Sequence, residues 1–138
     1  MQPKTRVTPA PTRMIWTGRI LSAFAVLFLL FDSAIHMARP APVVEAFNQL
    51  GLPLHLALPL GIVELLCIII YVLPRSRMPG AILLTGYLGG AVATHVRVGN
   101  PVFETVFPVI IGSLIWGGLY LRDSRLRRCF AGDSSAGN

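Results

Sequence analysis

Four apolar runs, each close to a bilayer in length, leave this chain few folds to choose from. They are Ile15 to about Met37, Leu54 to Leu73, Gly80 to Val98, and about Val106 to Leu121. A helix rising 1.5 Å per residue needs ~20 apolar residues to cross a hydrocarbon core of ~30 Å. Composition agrees: 54% of the 138 residues are hydrophobic and only 13% are charged, where a soluble domain carries about a quarter. The reading is all-α, an integral membrane four-helix bundle. Residues 14–125 form its transmembrane domain. The first run is longer than a signal-peptide core and lacks a convincing cleavage site, so it reads as a retained helix.

The segments between the runs are punctuated. Residues 1–13, "MQPKTRVTPAPTR", are basic and proline-rich and read as a disordered tail. Pro40 and Pro42 end the first span. "VVEAFNQLG" then has helical spacing and a Gly stop, as in a short amphipathic helix on the membrane surface. Pro59 falls inside the second span, where it cannot donate to the carbonyl of His55; a kink there is expected to open a polar path inward. "PRSRMP", residues 74–79, is a tight basic turn, and residues 126–138 are a second tail.

Charge sets the orientation. The net charge is +6, but the basic residues sit between apolar runs rather than over a soluble surface, so nucleic acid is excluded as a partner. Ten of the twelve Lys and Arg residues flank one side of the spans; Arg39 and Arg97 flank the other. Cytoplasmic flanks collect Lys and Arg. Both termini are therefore expected in the cytoplasm, in agreement with an even number of spans. Cys67 and Cys129 form no CxxC and indicate neither a disulfide framework nor a dithiol centre.

Lipid provides no hydrophobic drive to pair helices, so small residues must let them approach. Gly86, Gly90 and Ala93 make one stripe on the third span. Ala57 and Gly61 share a face with Glu64 on the second. Gly18, Ser22 and Ala25 share a face with Asp32 and His36 on the first. These stripes are expected to be helix contacts.

Ionisable residues inside a membrane are costly, ~2.5–3.5 kcal/mol each on insertion scales, and usually have a partner or a task. Glu64 lies roughly 17 Å below the end of its span, near mid-membrane, and Asp32 about 9 Å below the same surface. His36 is one turn above Asp32, on the same face, and His95 is near the end of the third span. Residues 95 and 97 are ~200° apart on a helix, so His95 and Arg97 cannot both face one point; Arg97 continues the small-residue stripe and is expected to point into the bundle. His55 lies opposite Glu64 and is left out of any site. The candidate ligand-binding residues are Glu64, Asp32, His95, Arg97 and His36. The competing reading makes His36 and His95 interfacial helix caps and pairs Arg97 with Asp32. No metal site is assigned. With no Lys or Arg at its depth, Glu64 is read as the functional centre, exchanging a proton with a ligand or water.

"TGRILSAFAVLFLLFDSAIH", "GIVELLCIIIYVLPR", "LLTGYLGGAVATHVRVGNPVF" and the closing "WGGLYLRD" together resemble the DoxX-like family of small membrane proteins, over about residues 15–125. The resemblance implies a four-helix integral membrane protein, usually of a bacterial inner membrane. Relatives include a subunit associated with thiosulfate:quinone oxidoreductase and others linked to sulfur or thiol redox stress. It implies no catalytic residue; Asp32, Glu64, His95 and Arg97 are the ionisable residues that fall in the family-like motifs.

The favoured function is a quinone- or small-molecule-binding subunit of a membrane redox system, with Glu64, Asp32 and the histidines holding the ligand's oxygens and supplying protons. The chain has no flavin or nucleotide motif, so its electron source would be a redox partner protein. The alternatives are a small proton-coupled transporter, working as a homo-oligomer, and an assembly subunit without a ligand. Haem held by His36 and His95 is disfavoured by their shallow depth.

Overall fold

The computed structural model describes residues 10–130. Residues 1–9 of the basic tail and residues 131–138 lie outside the described part. Helix α1 runs Thr12–Ala38, α2 Ala41–Gln49, α3 Ala57–Val72, α4 Arg77–Val98, α5 Val102–Arg122 and α6 Ser124–Phe130, with a 3-10 turn over Leu54–Leu56 ahead of α3. No strand occurs among the described residues. Four helices are long and apolar enough to cross a membrane: α1, the 3-10 turn with α3, α4 and α5. The chain is a multi-pass, all-α membrane protein in a lipid bilayer.

The four long helices alternate in direction. Thr12, Val72, Arg77 and Arg122 mark the near end, where the described residues begin and end, and Ala38, Ala57, Val98 and Val102 mark the far end. α1 packs on α3 and α5, and α4 packs on the same two from the opposite corner. The near half of the core is apolar, built from Ile68, Tyr71, Leu84, Ile115 and Leu119. A buried polar connection crosses it. The buried Tyr71 hydroxyl donates to the carbonyl of Ile115 (3.1 Å) and accepts from Ser22 Oγ (2.9 Å), tying α1, α3 and α5 together.

The helix ends follow local chemistry. Arg39 takes a left-handed conformation (φ 51°) after α1, and Pro40 and Pro42 start α2, where a missing N–H has no intrahelical partner to lose. Gly51 (φ 64°) and Gly99 (φ 72°) supply the left-handed residues that close α2 and α4. In both, the residue after the glycine donates back across the last turn: Leu52 to Phe47 O, Asn100 to His95 O.

Three expectations are corrected. Gly86, Gly90 and Ala93 are exposed, and a Cβ added at Gly86 or Gly90 would meet no atom within 4 Å. α4 instead turns Gly80, Ala81, Leu84 and Leu88 inward, and residues 84 and 86 are ~200° apart. A stripe identifies a face, not the neighbour that covers it. Arg97 follows the same exposed face and does not enter the bundle. Pro59, with an exposed ring, sits in the first turn of α3 rather than in a helix interior. Its missing N–H is one that helix starts leave unpaired in any case, so no interior kink opens a path to Glu64.

Candidate functional site

Gly61 determines where the polar residues meet. α1 crosses α3 so closely there that a Cβ on Gly61 would lie 2.9 Å from Ser33 O and 3.2 Å from His36 Cβ. Ser33 Oγ, fully buried, donates to the carbonyl of Gly61 (2.8 Å) and locks the crossing. Glu64 is three residues beyond Gly61 on the same face; Asp32 and His36 flank Ser33. The close approach therefore carries three ionisable side chains to one place.

Each of Asp32, His36 and Glu64 offers a donor atom, and these atoms all lie within 4.8 Å of one another. His36 Nδ1 lies 2.8 Å from the backbone oxygen of Asp32 and 3.4 Å from its Oδ2. A carbonyl only accepts, so Nδ1 carries the hydrogen and Nε2 the lone pair of the neutral ring. Glu64 is 0% exposed. Its Oε2 accepts from the Tyr87 hydroxyl of α4 (3.1 Å), and its Oε1 is buried with no hydrogen-bond partner. The cluster is graded toward its edge: the Asp32 side chain is 30% exposed and that of His36 20%. The His36 ring meets the edge of Phe47 at 5.7 Å. Phe47 and Val43 fasten α2 onto Ala57, Ile35 and Leu60, so α2 forms an apolar roof over the far ends of α1 and α3.

The other two candidates lie elsewhere. His95 Nδ1 accepts from Asn100 Nδ2 (2.9 Å), which also donates to Glu104 Oε2 (2.8 Å), so His95 belongs to the α4–α5 turn. Arg97 donates to the carbonyl of Leu50 and pins the end of α2. Among the described residues no Lys or Arg pairs with a carboxylate, and the imidazole–carboxylate contacts are those of His36 with Asp32 and His95 with Glu104, so Arg97 and Asp32 are not partners. His55 is exposed in the 3-10 turn. Tyr87 is the residue that sequence reasoning passed over. It adjoins Gly86 and Leu88 in an apolar run, and only the packing of α4 against α3 aims its hydroxyl at Glu64. A surface groove of about 330 Å³ between α4 and α5, lined by Thr85, Gly89, Gly112 and Trp116, takes in none of the cluster residues.

Two carboxyls, an imidazole and a phenol in an apolar bundle describe a class: a small polytopic membrane protein with an ionisable cluster between its middle and its far end. The chain belongs to the DoxX-like family, which matches residues 20–118. No curated protein and no solved structure matches it.

Proposed function

We propose that the chain is the small-molecule-binding subunit of a membrane redox system, and that a quinone-type ligand is received at the Asp32–His36–Glu64–Tyr87 cluster. The observation that carries this reading is the fully buried Oε1 of Glu64, which beside the neighbouring Asp32 carboxyl meets no N–H or hydroxyl donor. A buried polar atom without a partner is costly, and such atoms gather where a ligand completes the bonding. Reducing a quinone consumes two electrons and two protons. Asp32 and His36, at the open edge, meet the ligand's oxygen, and Glu64 with Tyr87 behind them relays protons. The electrons come from a redox partner protein. The protein lies in a bacterial inner membrane with both termini cytoplasmic, which puts the cluster toward the outer face.

The transporter reading needs access from both sides. Below Glu64 the core is closed by the buried side chains of Ile68, Tyr71, Leu84, Ile111 and Ile115. A site open at one end suits ligand binding rather than transport. The test is mass spectrometry of small molecules kept by the gently purified protein. A quinone-class molecule is expected on the wild type and much reduced on Glu64→Gln and Asp32→Asn. Equal retention by all three, or a metal ion retained with no organic molecule, overturns the proposal.

A further inference from the structure

The near end of the bundle carries a second built feature, independent of the polar cluster. A cleft of about 520 Å³ opens between the α3–α4 turn, the end of α5, and α6. Arg75, Arg77, Arg122 and Arg125 line it, against one carboxylate, Asp123. Among the described residues no ion pair involves any of these arginines. Asp123 Oδ1 is already an acceptor for the backbone N–H groups of Arg125 (2.8 Å) and Leu126 (3.4 Å). The Nε atoms of Arg77 and Arg122 are buried and have no hydrogen-bond partner.

Arginines that serve only to orient a membrane protein need no more than a solvated flank. Arg13 and Arg128, both exposed, are of that kind. Arg77 and Arg122 differ, because each keeps a desolvated donor beside a cavity. Their placement comes from packing. Arg122 lies over the Tyr71 ring, 5.4 Å from its centroid, and Arg77 opens α4 beside the close α3–α4 contact at Gly80. The wall formed by α6 is also fixed: Leu126 is buried, and Arg127 donates to the carbonyls of Tyr120 and Leu121. Pro74, Met78, Leu119 and Leu126 supply the apolar part of the lining.

We propose that this cleft binds a phosphate-bearing anion, with Arg77 and Arg122 as its principal donors. Guanidinium forks match phosphate oxygens, and basic pockets between membrane helices at the headgroup level take anionic lipid headgroups. The apolar walls suit the glycerol root of such a lipid, and the same donors accept free phosphate.

The test uses the full chain, delipidated in a neutral detergent, with native mass spectrometry and thermal unfolding as readouts. The probes are phosphatidylglycerol, phosphatidylcholine and inorganic phosphate. Phosphatidylglycerol is expected to form a one-to-one adduct and raise the unfolding temperature. Arg77→Gln with Arg122→Gln should weaken it at least tenfold, while the charge-matched Arg13→Gln with Arg128→Gln retains it. Should the first pair fail to fold, Arg75→Gln with Arg125→Gln, both exposed on the rim, is expected to weaken binding severalfold. Displacement of the lipid by inorganic phosphate identifies free phosphate as a sufficient ligand; lack of displacement assigns the site to a headgroup. Equal binding of phosphatidylcholine, equal loss in the charge-matched control, or no binding of phosphatidylglycerol or phosphate overturns the proposal.

Discussion

A single hydrogen bond, Tyr87 to Glu64 Oε2, decides how Glu64 answers to substitution. On charge alone, Glu64→Leu looks harmless, because a buried acid without a counter-ion stabilises little. The leucine would, however, strand the Tyr87 hydroxyl. We expect Glu64→Leu to lower stability by about 1 kcal/mol, and Glu64→Leu with Tyr87→Phe to recover most of that, since removing both partners of a buried bond is nearly neutral. Thermal unfolding of the two single variants and the double variant in detergent measures the coupling. Strictly additive losses would show that the bond is not made. Glu64→Gln keeps an acceptor for Tyr87 and removes the acid. It should stay folded and lose ligand retention, and full retention would remove Glu64 from the functional centre.

At the scale of elements, the helix crossings rest on glycines that touch something. A Cβ on Gly80 would collide with the backbone of Tyr71, and one on Gly118 with Ser22 Oγ and, at 2.9 Å, Gly18 O. Backbone cannot move aside as a side-chain tip can. We expect Gly80→Ala to cost ~1–3 kcal/mol, the range for overpacking, with a clear fall in unfolding temperature. Gly86→Leu and Gly90→Leu should accumulate and unfold as the wild type does; a collapse of either would place that face in a contact. Gly61→Ala is the informative intermediate. It pushes α1 from α3 at Ser33, so ligand retention at the cluster should fall more than stability does. A variant that binds normally would show that the crossing does not set the site.

For the whole molecule, the arginines define an axis. Among the described residues, eight flank the near end and two, Arg39 and Arg97, the far end. With Cys67 and Cys129 replaced, a cysteine at Ser76 is expected to resist an impermeant thiol reagent in intact cells and one at Asn48 to react. The reverse pattern would invert the topology and turn the arginine cleft outward. α6 shows how interior and surface divide the near end: Leu126 packs inside while Arg125 and Arg128 face out, so part of the expected tail is a helix held against the bundle.

The sequence by itself determined the membrane, the four helices and the alternation of their ends, because burial in lipid is a property of each segment taken alone. It also reached the Asp32–His36 face and the Ala57–Gly61–Glu64 face, because helical period fixes which residues share a side. Which sides meet was decided only in three dimensions. α4 turned Leu84 and Leu88 inward and left Gly86 and Gly90 outside, and so carried Tyr87 to Glu64 while leaving His95 and Arg97 at the rim. Period sets a residue's angle on its own helix, but not the rotation of that helix against its neighbours. That rotation is chosen by which faces pack closest, here at Gly18, Gly61, Gly80 and Gly118, and this choice placed the cluster between the middle and the far end of the bundle and the arginine cleft at its near end.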